Sequence, residues 1–98
     1  MSLFEKKVIE IVKKIPKGEV LSYGAVADRA GNRKAGRVVG NIMKANHDPL
    51  VPCHRVIRSD GIIGGYNGGE SEKKKKLMDE GIRVKGNRII YFSREHNR

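Results

Sequence analysis

The sequence predicts a small α+β domain, mainly helical, arranged as a winged helix-turn-helix with a C-terminal β-hairpin. Two amphipathic segments flank Gly31-Asn32, a tight-turn pair, which is the arrangement of a helix-turn-helix. A later alternating segment folds back at Gly86-Asn87, which is typical of a two-residue hairpin turn. Between these features, residues 46–69 lose helical periodicity, so we expect a loop with very short strands at most.

The composition limits what the chain can be. It has 98 residues, with 21 Lys and Arg against 11 Asp and Glu, a formal charge of +10. A second core would bury too little apolar surface, so we expect one domain over residues 1–98. There is no apolar run near the roughly 20 residues of a membrane span and no signal-peptide stretch. The single cysteine fits a reducing cytoplasm, and the charge favours a polyanionic partner, most simply nucleic acid.

The N-terminal half predicts three helices. Ser2 and Glu5 form a capping-box pair ahead of a helix that Pro16 and Gly18 end. Its apolar stripe consists of Phe4, Val8, Ile11, Val12 and Ile15. From Val20 to Gly31 we expect a short extended entry and then a second helix, with Ser22 as its N-cap.

The third helix, from about Lys34 to Ala45, carries a basic face. Arg37, Asn41 and Lys44 are spaced to share one side, opposite the apolar residues. Two interpretations remain open on spacing alone. The pair of helices is either a DNA-binding helix-turn-helix or an ordinary helical hairpin with a solvated basic face.

The C-terminal part predicts a helix and a hairpin. The helix runs from about Glu70 to Glu80, and we expect its lysine run, 73–76, to be a solvated face with incidental phosphate contact. The hairpin covers 82–92, and residues 93–98 are polar and predicted to fray.

The segment Val51-Pro52-Cys53-His54-Arg55-Val56 carries the chemistry. A thiolate is the reactive form of cysteine, nearby cationic groups lower its pKa, and a histidine can serve as its base. The alternative is that Cys53 is unreactive and fills space in the core as a small buried apolar residue. A direct Cys53–His54 contact would require an irregular backbone. His47, Asp48, Cys53 and His54 lie within eight residues but lack metal-ligand spacing, and no phosphate loop or dinucleotide fingerprint appears, so we expect neither metal nor cofactor.

Taken together, these motifs resemble the O6-alkylguanine-DNA alkyltransferase family. Pro52-Cys53-His54-Arg55-Val56 resembles its active-site signature. The supporting matches, in order, are Gly18-Glu19-Val20-Leu21-Ser22-Tyr23-Gly24, Ala35-Gly36-Arg37-Val38-Val39-Gly40, Asn46, Gly64-Gly65-Tyr66-Asn67-Gly68-Gly69 and Glu80-Gly81. The resemblance spans about residues 3–92 and corresponds to the family's C-terminal, DNA-binding and catalytic domain, without its usual N-terminal domain. The Asn46–Cys53 segment is about one residue shorter than the common pattern.

The resemblance implies a role for each matching residue. Cys53 would accept the alkyl group, His54 would be its water-mediated base, Glu80 would orient His54, and Asn46 would brace the active-site loop. Tyr23 would help extrude the target nucleotide and donate to the base; the alternative is that Tyr23 is a core aromatic. Arg37 would fill the vacated space; the alternative is that Arg37 only contacts a phosphate. The substrate and DNA contacts would further include Asn41, Lys44, Arg55, Val56, Tyr66 and Asn67. The small residues Ala35, Gly36 and Gly40 would let the helix approach the minor groove of DNA.

The expected function is therefore single-turnover repair of double-stranded DNA containing O6-alkylguanine, by a monomer that works alone or beside a separate partner. Two alternatives are an alkyltransferase-like protein that binds the lesion without chemistry and a winged-helix regulator. Alkyltransferase-like relatives typically replace the cysteine, which this chain keeps. A regulator explains the charge and the hairpin but not Pro52-Cys53-His54-Arg55.

Overall fold

Four α-helices and two small sheets make up the fold, as the computed structural model describes it for residues 2–66 and 68–90. The helices are α1 (Leu3–Lys13), α2 (Tyr23–Arg29), α3 (Gly36–Ala45) and α4 (Glu70–Asp79), with a short 3-10 helix at Cys53–Arg55. The strands are β1 (Leu21–Ser22), β2 (Val56–Ile57), β3 (Val84–Lys85) and β4 (Arg88–Ile89). This confirms the predicted α+β, mainly helical class.

Helix α1 packs its apolar stripe into the main core. Its capping box forms as predicted: Glu5 N–H donates to Ser2 Oγ at 3.1 Å, and Ser2 N–H donates to Glu5 Oε1 at 3.4 Å. Val8 and Val12 are fully buried, and Ile15 follows them into the core. These residues pack in the same core cluster as the buried residues of α2 and α3.

The helix-turn-helix is formed by α2 and α3. Ser22 caps α2 by accepting from Ala25 N–H at 3.0 Å, as predicted. Gly31, at φ +100°, lets the chain turn so that Asn32 N–H donates to Ala27 O at 2.9 Å. Helix α3 starts two residues later than predicted, because Asn32 Oδ1 accepts from Lys34 N–H in a local turn.

The small residues at the start of α3 pack against α2. Ala35 is 8% exposed and belongs to the core, and a methyl group on Gly36 would lie 3.6 Å from Gly24 Cα. Their small size therefore allows close packing of α2 and α3. Ala35 is therefore a core residue, whereas Gly36 and Gly40 also line a cleft on α3, and their predicted close approach to DNA stays a prediction.

Strand pairing brings the cysteine segment to the helix-turn-helix. Strand β2 pairs in parallel with β1, with Leu21 opposite Val56 and Ser22 opposite Ile57. Because β1 leads directly into α2 and β2 directly follows Cys53–Arg55, this pairing places the cysteine segment beside the start of α2. In the described part of this loop, residues 46–66 and 68–69, the 3-10 turn Cys53–Arg55 therefore leads directly into strand β2.

The wing is the antiparallel pair β3 and β4. Val84 pairs with Ile89 and Lys85 with Arg88 around the predicted Gly86-Asn87 turn, and an Ile62–Arg88 bridge attaches it to the loop. Residues 91–92 of the predicted hairpin and the predicted frayed end, 93–98, lie outside the described residues. Within the described ranges, no helix is long and apolar enough to cross a membrane.

Candidate active site

Cys53 sits at the start of a tight turn and is held by an asparagine. The turn begins after Pro52, and the Cys53 residue is only 4% exposed. Asn46, which directly follows α3, donates from Nδ2 to Cys53 Sγ at 3.0 Å and to Asp48 O at 3.3 Å. Asn46 thus links the backbone at Asp48 to the sulfur of Cys53.

His54 and Glu80 form the second part of the site. His54 Nε2 lies 2.9 Å from Glu80 Oε2, and both side chains are mostly buried. Because an ionised carboxylate can only accept, the contact places the hydrogen on Nε2 and leaves Nδ1 with its lone pair. Burial lowers the pKa of His54, although Glu80 partly opposes this shift. The imidazole is therefore neutral near pH 7 and able to take up a proton.

Arg55 faces Glu80. It donates from Nε to Glu80 Oε1 at 2.9 Å, from Nη2 to Oε2 at 2.7 Å, and from Nη1 to Ile15 O at 2.7 Å. Its guanidinium is therefore bonded to Glu80 and to the chain after α1, while the residue also lines a cleft that contains Cys53. The sequence-based assignment of Arg55 to substrate or DNA contact stays a prediction. Burial alone would raise the pKa of Glu80, but hydrogen bonds from Arg55 and His54 lower it to about 2.

The Cys53 thiol is not pre-ionised. Burial raises the pKa of Cys53, and the hydrogen bond from Asn46 and the charges of Lys73 and Lys76 offset this only in part. The sequence-based expectation of a lowered pKa is therefore wrong. Desolvation outweighs the cationic neighbours, so the thiol needs a base when it reacts.

A basic cleft opens beside this site on the face of α3. It encloses about 660 Å³, and Arg37, Asn41 and Lys44 all line it, with Tyr23 in its wall. The cleft is also lined by charged and small residues that the sequence analysis did not single out for this surface: Arg33, Lys34, Arg58, Ser59, Gly24, Gly64 and Gly65. The predicted basic face of α3 is thus one wall of a larger cationic cleft.

Tyr23 connects the cleft to the buried part of the site. Its ring packs against the core cluster and its side chain is partly buried, while burial raises the pKa of its hydroxyl and keeps it protonated. Its Oη accepts from Lys73 Nζ at 3.2 Å. Both sequence-based interpretations of Tyr23 therefore describe part of its position, since it packs against the core and also reaches the cleft.

Lys73 contradicts the prediction that the lysine run is solvated. Its residue is 0% exposed, whereas Lys75 and Lys76 on the same helix are exposed. The available signal was its spacing, because Lys73 lies one turn before Leu77, the other buried residue of α4. Lys73 and Leu77 therefore lie on the same face of α4, the face that packs against the core.

The remaining predicted contacts lie around the cysteine. Tyr66 lines a second cleft of about 500 Å³ together with Cys53 and His54, and its Oη accepts from Lys76 Nζ at 3.0 Å. Val56 is fully buried and its carbonyl accepts from Lys73 Nζ at 2.7 Å. Asn67 lies outside the described residues. Residues 2–66 and 68–90 contain no cluster of three or more His, Cys, Asp or Glu side chains able to hold a metal ion.

The fold and the site together define a DNA-binding domain of the winged helix-turn-helix class with a braced cysteine beside its basic cleft. The chain belongs to the family of 6-O-methylguanine DNA methyltransferases, because the model of that family's DNA-binding domain matches residues 3–82.

Similar proteins agree with this membership. The methylated-DNA–protein-cysteine methyltransferase of Methanothermobacter thermautotrophicus is 45% identical over 84 residues, 85% of this chain and 47% of that protein. The human protein of the same name is 45% identical over 83 residues, 83% of this chain and 40% of that protein. The chain therefore spans less than half the length of these relatives.

Two solved structures bound to DNA have the same fold. Schizosaccharomyces pombe Atl1, in complex with damaged DNA containing O6-carboxymethylguanine, superposes with a TM-score of 0.84 at 35% identity, covering 97% of this chain and 94% of Atl1. Mycobacterium tuberculosis OGT, in complex with DNA, has a TM-score of 0.77 at 40% identity, covering 82% of this chain and 49% of OGT.

Proposed function

We propose that this chain repairs O6-alkylguanine in double-stranded DNA by irreversible transfer of the alkyl group to Cys53. The observation that carries the proposal is the arrangement of Asn46, Cys53, His54 and Glu80, next to a cationic cleft. It supplies a nucleophile, a base and a group that orients the base. The unpaired thiol fits a reducing cytoplasm, where we place the reaction.

The chemistry follows from the site's hydrogen bonds. The Cys53 sulfur attacks the alkyl carbon, forming an S–C bond as the bond from carbon to guanine O6 breaks. The thiol proton passes through a water to His54 Nδ1, while Glu80 stabilises the resulting imidazolium. The guanine leaves as an anion that takes up a proton, for which the Tyr23 hydroxyl is the proposed donor.

The target base must leave the duplex to reach the thiol. A protein nucleophile cannot approach an O6-alkyl carbon within stacked, paired DNA, so extrusion is required. Tyr23 in the cleft wall and exposed Arg37 on α3 are placed to assist it. Arg37 would occupy the vacated position, and Asn41 and Lys44 would contact the backbone.

One alternative shares lesion binding with this proposal. The alternative is lesion recognition without transfer, and the similarity to Atl1, whose structure contains O6-carboxymethylguanine DNA, supports lesion binding whether or not transfer follows. Cys53, its asparagine brace and the His54–Glu80 pair argue for transfer. A winged-helix regulator would need none of these groups.

The stoichiometry of transfer tests the proposal. The described residues contain one thiol and no cofactor site is implied, so each molecule is expected to remove one alkyl group. With a duplex carrying labelled O6-methylguanine in excess, bound label should reach a plateau near one per protein. A plateau near zero would favour the Atl1-like alternative, and repair continuing well beyond one would contradict the single-acceptor mechanism.

Arg37→Ala is expected to impair repair of duplex DNA more than repair of single strands. Only the duplex leaves a gap in its stack, and unstacking costs a few kcal/mol, so we expect about a 10- to 100-fold slower transfer on duplex DNA. Single-turnover rates on both substrates measure the difference. Arg83→Ala, which removes an exposed arginine that does not line the cleft, is the control. Equal losses on both substrates would reduce Arg37 to a phosphate contact.

A further inference from the structure

Lys73 is a fully buried cation that the Cys53–His54–Glu80 relay does not use. Its Nζ donates to Val56 O at 2.7 Å, to Gly65 O at 3.1 Å and to Tyr23 Oη at 3.2 Å. An ammonium has three N–H donors and no acceptor. Each donor therefore has one partner, and the partners come from three different parts of the fold.

The charge of Lys73 determines the direction of the Tyr23 hydroxyl. Because the ammonium can only donate, Tyr23 Oη accepts and its hydrogen must point elsewhere. Tyr23 lines the basic cleft, and a methyl group on Gly64 would lie 3.2 Å from Tyr23 Oη. The hydroxyl thus lies beside Gly64, a residue of the cleft wall, and Lys73 does not use its hydrogen. A neutral amine could accept that hydrogen instead.

We propose that Lys73 is a positioning residue that holds the Tyr23 hydroxyl as a hydrogen-bond donor toward the base in the cleft. This inference rests on the proposed function, which puts the extruded guanine beside Tyr23. Through the carbonyls of Val56 and Gly65, the same ammonium joins β2 to the loop that forms the cleft wall. Burial lowers the pKa of Lys73 to about 8, against the opposing charges of Cys53 and Glu70, so the ammonium predominates at neutral pH.

Lys73→Met removes the ammonium and keeps an unbranched apolar side chain that is one atom shorter. We expect the maximal single-turnover rate on O6-methylguanine duplex to fall about 10- to 100-fold, the range of a lost hydrogen bond to a charged group. Affinity for an unmodified duplex should stay within about twofold, because a buried ammonium cannot reach a phosphate. Lys75→Met is the matched control, since it removes an exposed charge from the same helix.

A double-mutant cycle with Tyr23→Phe separates positioning from simple support of the fold. If Lys73 acts through the Tyr23 hydroxyl, Lys73→Met should slow the Tyr23→Phe protein by much less than it slows the wild type. Where Lys73→Met does not fold, Lys73→Gln takes its place, because its amide can still donate to the two carbonyls without a charge.

Three results would overturn the inference. Lys73 would be a structural residue if its loss slowed the wild type and Tyr23→Phe by the same factor. It would be a general electrostatic contributor if Lys75→Met were equally harmful, and a DNA contact if its loss weakened binding to unmodified and lesion duplexes alike.

Failure of the proposed alkyl transfer can be distinguished from failure of the Lys73 inference. If the wild type transfers no methyl group, the same variants are compared by the ratio of their affinities for O6-methylguanine and unmodified duplexes. The inference then predicts that Lys73→Met lowers this ratio in the wild type and lowers it little further in Tyr23→Phe. An unchanged ratio in the wild type would reject it.

Discussion

Replacing Glu80 with glutamine is expected to slow alkyl transfer about a hundred- to ten-thousand-fold at neutral pH, the usual contribution of general-base assistance. Glu80 Oε2 accepts from His54 Nε2 at 2.9 Å and thereby leaves Nδ1 free to act as the base. A neutral amide orients the ring less firmly and does not stabilise the imidazolium. Because the Cys53 pKa is raised, the thiol cannot compensate by ionising on its own at this pH.

The pH dependence should identify this cause. In the wild type, the rate should fall at acidic pH as His54 becomes protonated, with a midpoint below the ordinary histidine value because burial lowers its pKa. Without the relay, the rate should instead rise with pH toward the raised pKa of Cys53, since thiolate must form without assistance. The deficit of Glu80→Gln should therefore be largest at neutral pH and smallest at alkaline pH.

A matched control tests whether the loss of any carboxylate charge in this region, and not of Glu80 in particular, slows transfer. Glu72→Gln removes an exposed carboxylate from α4, the helix that Glu80 directly follows. The Glu72 carboxylate lies 4.0 Å from Lys76 Nζ, and the variant should react like the wild type. Melting curves of both variants would show whether Glu80→Gln remains folded, since Arg55 loses part of its partner. A folded Glu80→Gln protein with the wild-type rate and pH profile would refute the relay.

Cys53→Ser is expected to abolish alkyl transfer while leaving affinity for the lesion duplex nearly unchanged. A serine hydroxyl is a far weaker nucleophile than a thiolate, even with the same base beside it. The basic cleft is untouched by the change, and Asn46 can still donate to the serine oxygen. Single-turnover transfer and equilibrium binding to the same duplex measure the two effects separately.

Cys53→Ala serves as the companion variant, because it also removes the acceptor of the Asn46 hydrogen bond. If binding survives in the serine protein but weakens in the alanine protein, the Asn46 contact organises the cleft as well as the sulfur. Transfer that persists in the alanine protein would place the acceptor at another residue.

Local sequence signals predicted most of the fold. The capping box at Ser2, the N-cap at Ser22 and the turn at Gly86-Asn87 act over a few residues, and all three form as expected. The parallel pairing of β1 with β2 did not follow from such signals, because two-residue strands carry no periodicity. It depends on contacts between segments about 35 residues apart in the chain.

The motif predicted which side chains form the site, but not the contacts and pKa shifts that depend on tertiary packing. The resemblance implied that Glu80 would lie beside His54, and the structure places them 2.9 Å apart. The partners of Arg55 were not predicted, because only the fold reveals that Glu80 and Ile15 O, two residues after α1, lie within its reach. The Cys53 pKa was misjudged for a similar reason, since its neighbours in sequence are basic while burial dominates.

The most direct test of the central claim is the mass of the protein after reaction with duplex DNA containing O6-methylguanine. The account predicts a methyl-sized gain on the intact chain, which peptide mapping then locates on Cys53, and no gain with an unmodified duplex. An unchanged mass for protein that demonstrably binds the lesion would contradict transfer, and a methyl group on any residue other than Cys53 would contradict the assigned nucleophile.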